Sequence, residues 1–126
     1  MKLSTLMVIK AVVCLGFGIL LLAIPGPLMS IFGVELGDGG MVAARQYGAA
    51  MLGICFLTWF SRNDSGSPAL RGAVLGLFVY DAIGFVVAVV ATVTGVWNAL
   101  GWLIAALYLF LAVGYGYFQF AKPAQD

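Results

Sequence analysis

Residues 3–24 read LSTLMVIKAVVCLGFGILLLAI. At ~1.5 Å of helical rise per residue, a run of roughly 22 residues covers the ~30 Å hydrocarbon core of a bilayer. Its one charged residue is Lys10. Lys2 ahead of it gives the run some look of a signal peptide. It is too long for one, however, and Pro25-Gly26-Pro27 follows with no small-x-small cleavage pattern, so the segment is expected to be retained as a membrane span. Pro25 and Pro27 remove amide donors and crowd the preceding turn, which ends the helix there.

Working outward, the same pattern recurs. Residues 28–32 read as a short apolar turn lying in the interface, and residues 33–40 as a glycine-rich loop carrying Glu35 and Asp38. A second span is expected over residues 41–60, with Asp38 as its cap. The polar turn SRNDSGS over residues 61–67 leads to Ser67-Pro68, an N-cap followed by proline at the first helical position. A third span follows over residues 69–94, with Asp81 near its middle. The connection at 95–98 is short, and residues 100–120 form the fourth. The expected architecture is therefore all-α: a single up-down four-helix transmembrane bundle filling residues 1–126, with both termini cytoplasmic.

Composition supports this. The chain is 63% hydrophobic and 9% charged, with a mean hydropathy of +1.11, against about 25% charged residues in soluble domains. A net charge of +1 with no basic run argues against nucleic acid as a partner. The chain has no histidine, which removes histidine-ligated haem, most zinc sites and histidine-based acid–base catalysis. No cofactor or metal is expected. Cys14 and Cys55 sit in different apolar runs without CxxC spacing and are read as small buried hydrophobes. Ser4, Thr5, Ser30 and Thr58 have no base beyond Lys10, so no catalytic constellation is present and no enzymatic activity is expected.

Small residues recur at packing spacing in Ala44-x-x-x-Gly48, Gly72-x-x-x-Gly76, Gly101-x-x-x-Ala105 and Ala112-x-x-x-Gly116. Such pairs let helix backbones approach closely in lipid, where packing holds helices together.

The intramembrane polar residues are the candidates for function. A charged residue at mid-membrane costs at least ~2.5–3.5 kcal/mol on insertion scales, so Asp81 needs a partner or a proton. Lys10 and Asp81 both lie ~20 Å below the outer ends of their spans, which makes them the first-choice pair. In the competing reading Lys10 snorkels to the inner interface. Arg45 is only ~6 Å inside the outer end of the second span. It either snorkels to lipid phosphate, faces inward with Gln46 and Tyr47 to hold an anionic or carbonyl group, or pairs with Glu35 or Asp38.

The stretch VAARQYGAAMLG over residues 42–53 resembles a segment common in small uncharacterised bacterial four-helix membrane proteins. There, an arginine and a Gly-Ala-Ala-x-Leu-Gly-like run open a transmembrane helix. Asp81-Ala82-Ile83-Gly84 resembles their third-span acidic segment, and length and layout are similar to the DoxX-like superfamily. Some DoxX-type proteins are membrane subunits of quinone-linked oxidoreductases. The resemblance thus implies an accessory subunit of the bacterial inner membrane and transfers no individual residue.

Two functional readings follow. The first is a non-catalytic accessory or interaction subunit whose partners are the bilayer and other membrane proteins or a second copy of itself. The second is a small transporter or lipophilic-ligand binder using Asp81, Lys10 and Arg45. A polar cavity reaching Asp81 favours the second, and a tightly packed core around a satisfied ion pair favours the first.

Orientation rests on basic residues. Lys2, Arg62, Arg71 and Lys122 flank one side, and Glu35, Asp38 and the uncharged 95–98 turn flank the other. A Ser65→Cys variant is therefore expected to resist a membrane-impermeant thiol reagent applied to intact cells. Efficient labelling from outside would reverse the assigned orientation.

Overall fold

The computed structural model describes residues 2–121, so Lys122 and the C-terminus lie outside the described residues. Among the described residues the chain forms five α-helices and no strand: α1 (Leu3–Ala23), α2 (Pro25–Ile31), α3 (Asp38–Ser61), α4 (Pro68–Val93) and α5 (Gly101–Gly116). The last turns of α5 widen into π-helical geometry over Tyr117–Ala121. Helices α1, α3 and α4, and α5 with its π-helical extension, are each long and apolar enough to cross a membrane.

Three local readings need correction. The 28–32 stretch is not a turn. Pro25 occupies the first position of the short helix α2, where its missing N–H costs nothing and its fixed φ suits the helix. Asp38 does not cap α3. Gly37 holds that position without a side-chain hydrogen bond, and Asp38 begins the helix proper, where its charge complements the N-terminal dipole. Gly72 and Gly76 face open space and take no part in packing.

Ser67 does cap α4, its hydroxyl accepting from the Leu70 N–H at 3.1 Å. Asp64 braces the cap, accepting from the Ser67 and Gly66 amides at 2.9 and 3.0 Å and from the Ser67 hydroxyl at 2.7 Å. These bonds, chiefly that from the Ser67 backbone N–H, hold the Asp64 carboxyl below the usual carboxylate range. The folded-state value is depressed, so the contribution of this turn is present above the unfolded-state pKa and fades as pH falls through the folded one.

The helices pack as two antiparallel hairpins. In the first, α1 crosses α3 where Gly18 meets Gly48, and the Arg45 side chain reaches the Leu22 carbonyl. In the second, α4 and α5 meet at Gly84 with Tyr108 and at Phe78 with Gly116. Between hairpins, Leu3, Leu6 and Met7 of α1 pack with Leu70, Val74 and Leu77 of α4 and with Leu111, Tyr115 and Phe118. That cluster joins the hairpins over one half of their length. Helix α3 packs extensively on α1 and has no comparable seam with α4 or α5, so in the other half the hairpins part. At the far end they meet again. Asn98, in the α4–α5 turn, donates through its backbone to the Phe32 carbonyl and through its amide to the Ile31 carbonyl, both at 2.9 Å. Trp97 packs on Phe32 with ring centroids 5.6 Å apart.

Many large apolar side chains on the outer faces, among them Val12, Phe56, Ile83, Val87, Leu103 and Val113, are exposed. In a bilayer these are the lipid-facing positions, and close packing replaces water exclusion as the force between helices. A Cβ at Gly48 would lie 2.8 Å from the Gly18 carbonyl oxygen, a backbone atom that cannot move aside alone. Gly48→Ala is therefore expected to destabilise the protein by about 1–3 kcal/mol. Gly53, with nothing within 4 Å of its would-be Cβ, is expected to tolerate alanine. Thermal unfolding of both variants in detergent checks the contrast.

Candidate functional site: a cavity between the hairpins

Lys10 and Asp81 meet. Lys10 Nζ lies 2.5 Å from Asp81 Oδ1, with side chains 2% and 0% exposed. Each comes from a different hairpin, at the level where the Leu3–Leu70–Leu111 cluster ends. The second carboxylate oxygen of Asp81 has no hydrogen-bond partner among the described residues, and Lys10 is the one cation among them that pairs with this carboxyl. Lys10 Nζ also sits 4.4 Å from the centroid of the Tyr80 ring, a cation–π distance.

Directly beyond the pair the parted hairpins frame a half-open cavity of about 420 Å³. Its walls are almost wholly apolar: Val13, Phe17 and Leu21 on α1, Ala43, Ala44 and Met51 on α3, and Ile104, Leu107 and Leu111 on α5. Leu28, Met29 and Phe32 from α2 and its exit turn, with Trp97, complete the far end. Lys10 belongs to the lining and Asp81 stands behind it.

The cavity's other polar groups are phenols. Tyr47 of α3 bridges the hairpins, its hydroxyl 2.5 Å from those of both Tyr80 and Tyr108. Sequence places Tyr80 beside Asp81 on α4 and Tyr108 on the facing turn of α5. Gly84, one turn after Tyr80, makes room for the Tyr108 ring, because a Cβ there would overlap that ring at 2.5 Å. Tyr47, Tyr80, Tyr108 and Trp97 also line a shallower outer groove that runs past the exposed Ile83 and Val87. These four side chains form the partition between the interior cavity and the lipid-facing surface.

Of the residues singled out from sequence, the structure brings Lys10, Asp81 and Tyr47 to one site. Arg45 and Gln46 are exposed and outside the cavity lining. Arg45 Nε donates to the Leu22 carbonyl at 3.3 Å and forms no ion pair with Glu35 or Asp38. Helical geometry separates them: consecutive residues project about 100° apart, so Tyr47, itself still 37% exposed, reaches the cavity lining where its two predecessors do not. Tyr80 and Tyr108 were missed. The available signal was that each places a phenol well inside an apolar run, where a hydroxyl needs a partner. Among the described residues no cluster of metal-ligating side chains occurs, and Cys14 and Cys55 are both buried and unpaired by disulfide. Comparison with protein-family models, curated proteins and solved structures finds no match for this chain.

Removing one member of a buried pair strands the other in low dielectric, whereas removing both relieves that cost. Lys10→Met and Asp81→Leu are each expected to lower stability by about 3–5 kcal/mol. The double variant is expected to recover much of the loss. Simple additivity of the two losses in a detergent unfolding cycle would show that the pair contributes no coupling.

Proposed function

We propose that this chain is a non-catalytic integral membrane protein that binds a lipophilic small molecule in the cavity between its hairpins. The observation that carries this reading is the division of the cavity into long apolar walls and one polar end made of Lys10 and three phenols. Small-molecule sites have this character, with volumes of about 300–1,000 Å³, apolar linings and a few convergent polar groups. The resemblance to small bacterial four-helix membrane proteins fits a bacterial inner-membrane location. Leu3 and Leu70 pack in one cluster, which puts Lys2 and Arg71 at the same end and supports a cytoplasmic assignment for that end.

The accessory-subunit reading has less to rest on. It keeps the resemblance, and the cavity is apolar and ends at Lys10 without reaching Asp81, but lipid alone accounts for the apolar surface that a partner subunit would cover. Passage of the ligand between bilayer and cavity would run through the partition of Tyr47, Tyr80, Tyr108 and Trp97, because the outer groove abuts it there.

Purification in mild detergent followed by solvent extraction and mass spectrometry tests the proposal. About one lipophilic molecule per chain is expected to co-purify. It is expected to be lost from a variant combining Ala43→Phe and Ile104→Phe, which fills the cavity from opposite walls, with helical content retained. Isolation in a large stable assembly with nothing extractable would favour the accessory-subunit reading instead.

A further inference from the structure

The hydrogen-bond inventory at the polar end of the cavity narrows the chemistry of the occupant. Three hydroxyls supply three protons, and the two contacts centred on Tyr47 consume two. One hydroxyl proton is left over whichever way the bonds run. Lys10 Nζ carries three hydrogens, of which one is directed to Asp81, and it lines the cavity. Asp81, the one strong acceptor nearby, faces Lys10 and is absent from the lining. The lining therefore offers the unspent N–H groups of Lys10 beside hydroxyls that can both donate and accept.

Charge narrows it further. Lys10 and Asp81 sum to zero wherever their shared proton resides, so the site has no net charge to compensate an ion. Bringing an uncompensated carboxylate or ammonium into an apolar chamber carries a large desolvation cost. An ammonium would in addition face the like charge of Lys10, which lines the cavity.

We propose that the occupant is an uncharged lipophile carrying an oxygen acceptor, a carbonyl or an ether, at the end that meets Lys10 and the three tyrosines. This inference rests on the ligand-binding reading above. The apolar remainder of the molecule extends between α3 and α5 toward Phe32 and Trp97, the opposite end of the lining.

Trp97 supplies the readout. With Trp59→Phe and Trp102→Phe in place, Trp97 is the single tryptophan, and probes brominated at the tail end will quench it when seated. A matched set of medium-chain probes (alkane, methyl ketone, carboxylate and primary amine) is titrated into the protein in lipid nanodiscs. Saturable quenching is expected to be tightest for the ketone, by roughly 3- to 10-fold over the alkane, the range one net hydrogen bond provides. Combining Tyr47→Phe, Tyr80→Phe and Tyr108→Phe removes the hydroxyls and keeps the rings. Alkane binding is expected to persist in that variant while the ketone preference shrinks to what Lys10 alone provides.

Equal affinity for ketone and alkane in the parent protein would overturn the assigned head group and leave the cavity reading intact. Tightest binding of the carboxylate or the amine would do the same. An undiminished ketone preference in the triple variant would overturn the role given to the tyrosines. Absence of saturable quenching by any probe would instead remove the ligand-binding reading on which the inference rests.

Discussion

A lysine and an aspartate placed at one depth in an apolar bundle must meet, because neither has water to turn to. Each alone costs at least ~2.5–3.5 kcal/mol at mid-membrane, and here both are almost completely buried. The pair joins α1 to α4, two helices that share no long seam of their own. It fixes the level at which one hairpin stands against the other. On one side of that level the Leu3–Leu70–Leu111 cluster closes the interface. On the other side the hairpins separate and the cavity begins. The cavity, the tyrosine bridge and the clasp of Asn98 on the Phe32 turn all take their position from that one contact.

The spans and the ion pair were legible in the sequence because both depend on one dimension. Length and hydropathy set the helices, and counting residues from the span ends put Lys10 and Asp81 at equal depth. The tyrosine bridge depends on something else: the angular facing of α3 toward two helices of the other hairpin. Tyr47 is separated from Tyr80 by 33 residues and from Tyr108 by 61. No periodicity along the chain records such a meeting. The cavity was illegible for the same reason, since an unfilled space is set by which helices fail to pack. Asp38 illustrates a smaller limit. It has the chemistry of a cap, but with Gly37 extended ahead of it the helix simply starts one residue earlier. Gly72-x-x-x-Gly76 shows that small-residue spacing marks a smooth face without showing that a helix lies on it.

Stability and the proposed binding place opposite demands on this fold. Filling the space between hairpins would add packing contacts, the main attraction between helices in lipid, yet on α3 the small residues Gly40, Ala43 and Ala44 line it. Gly84 gives up a side chain so that the Tyr108 ring can approach α4 and reach Tyr47. Arg45, by contrast, hydrogen-bonds the end of α1 from an exposed position. It belongs to the structure of the first hairpin rather than to the cavity.

The central claim is that the pinned hairpins hold open a chamber for an uncharged lipophile. An experimental structure of the protein crystallised from a lipid phase tests it most directly. Lys10 is expected on Asp81, with elongated density between α3 and α5 ending on Lys10 and the tyrosine hydroxyls. Helix α3 packed directly against α5, with the chamber closed and Lys10 turned away from Asp81, would contradict it.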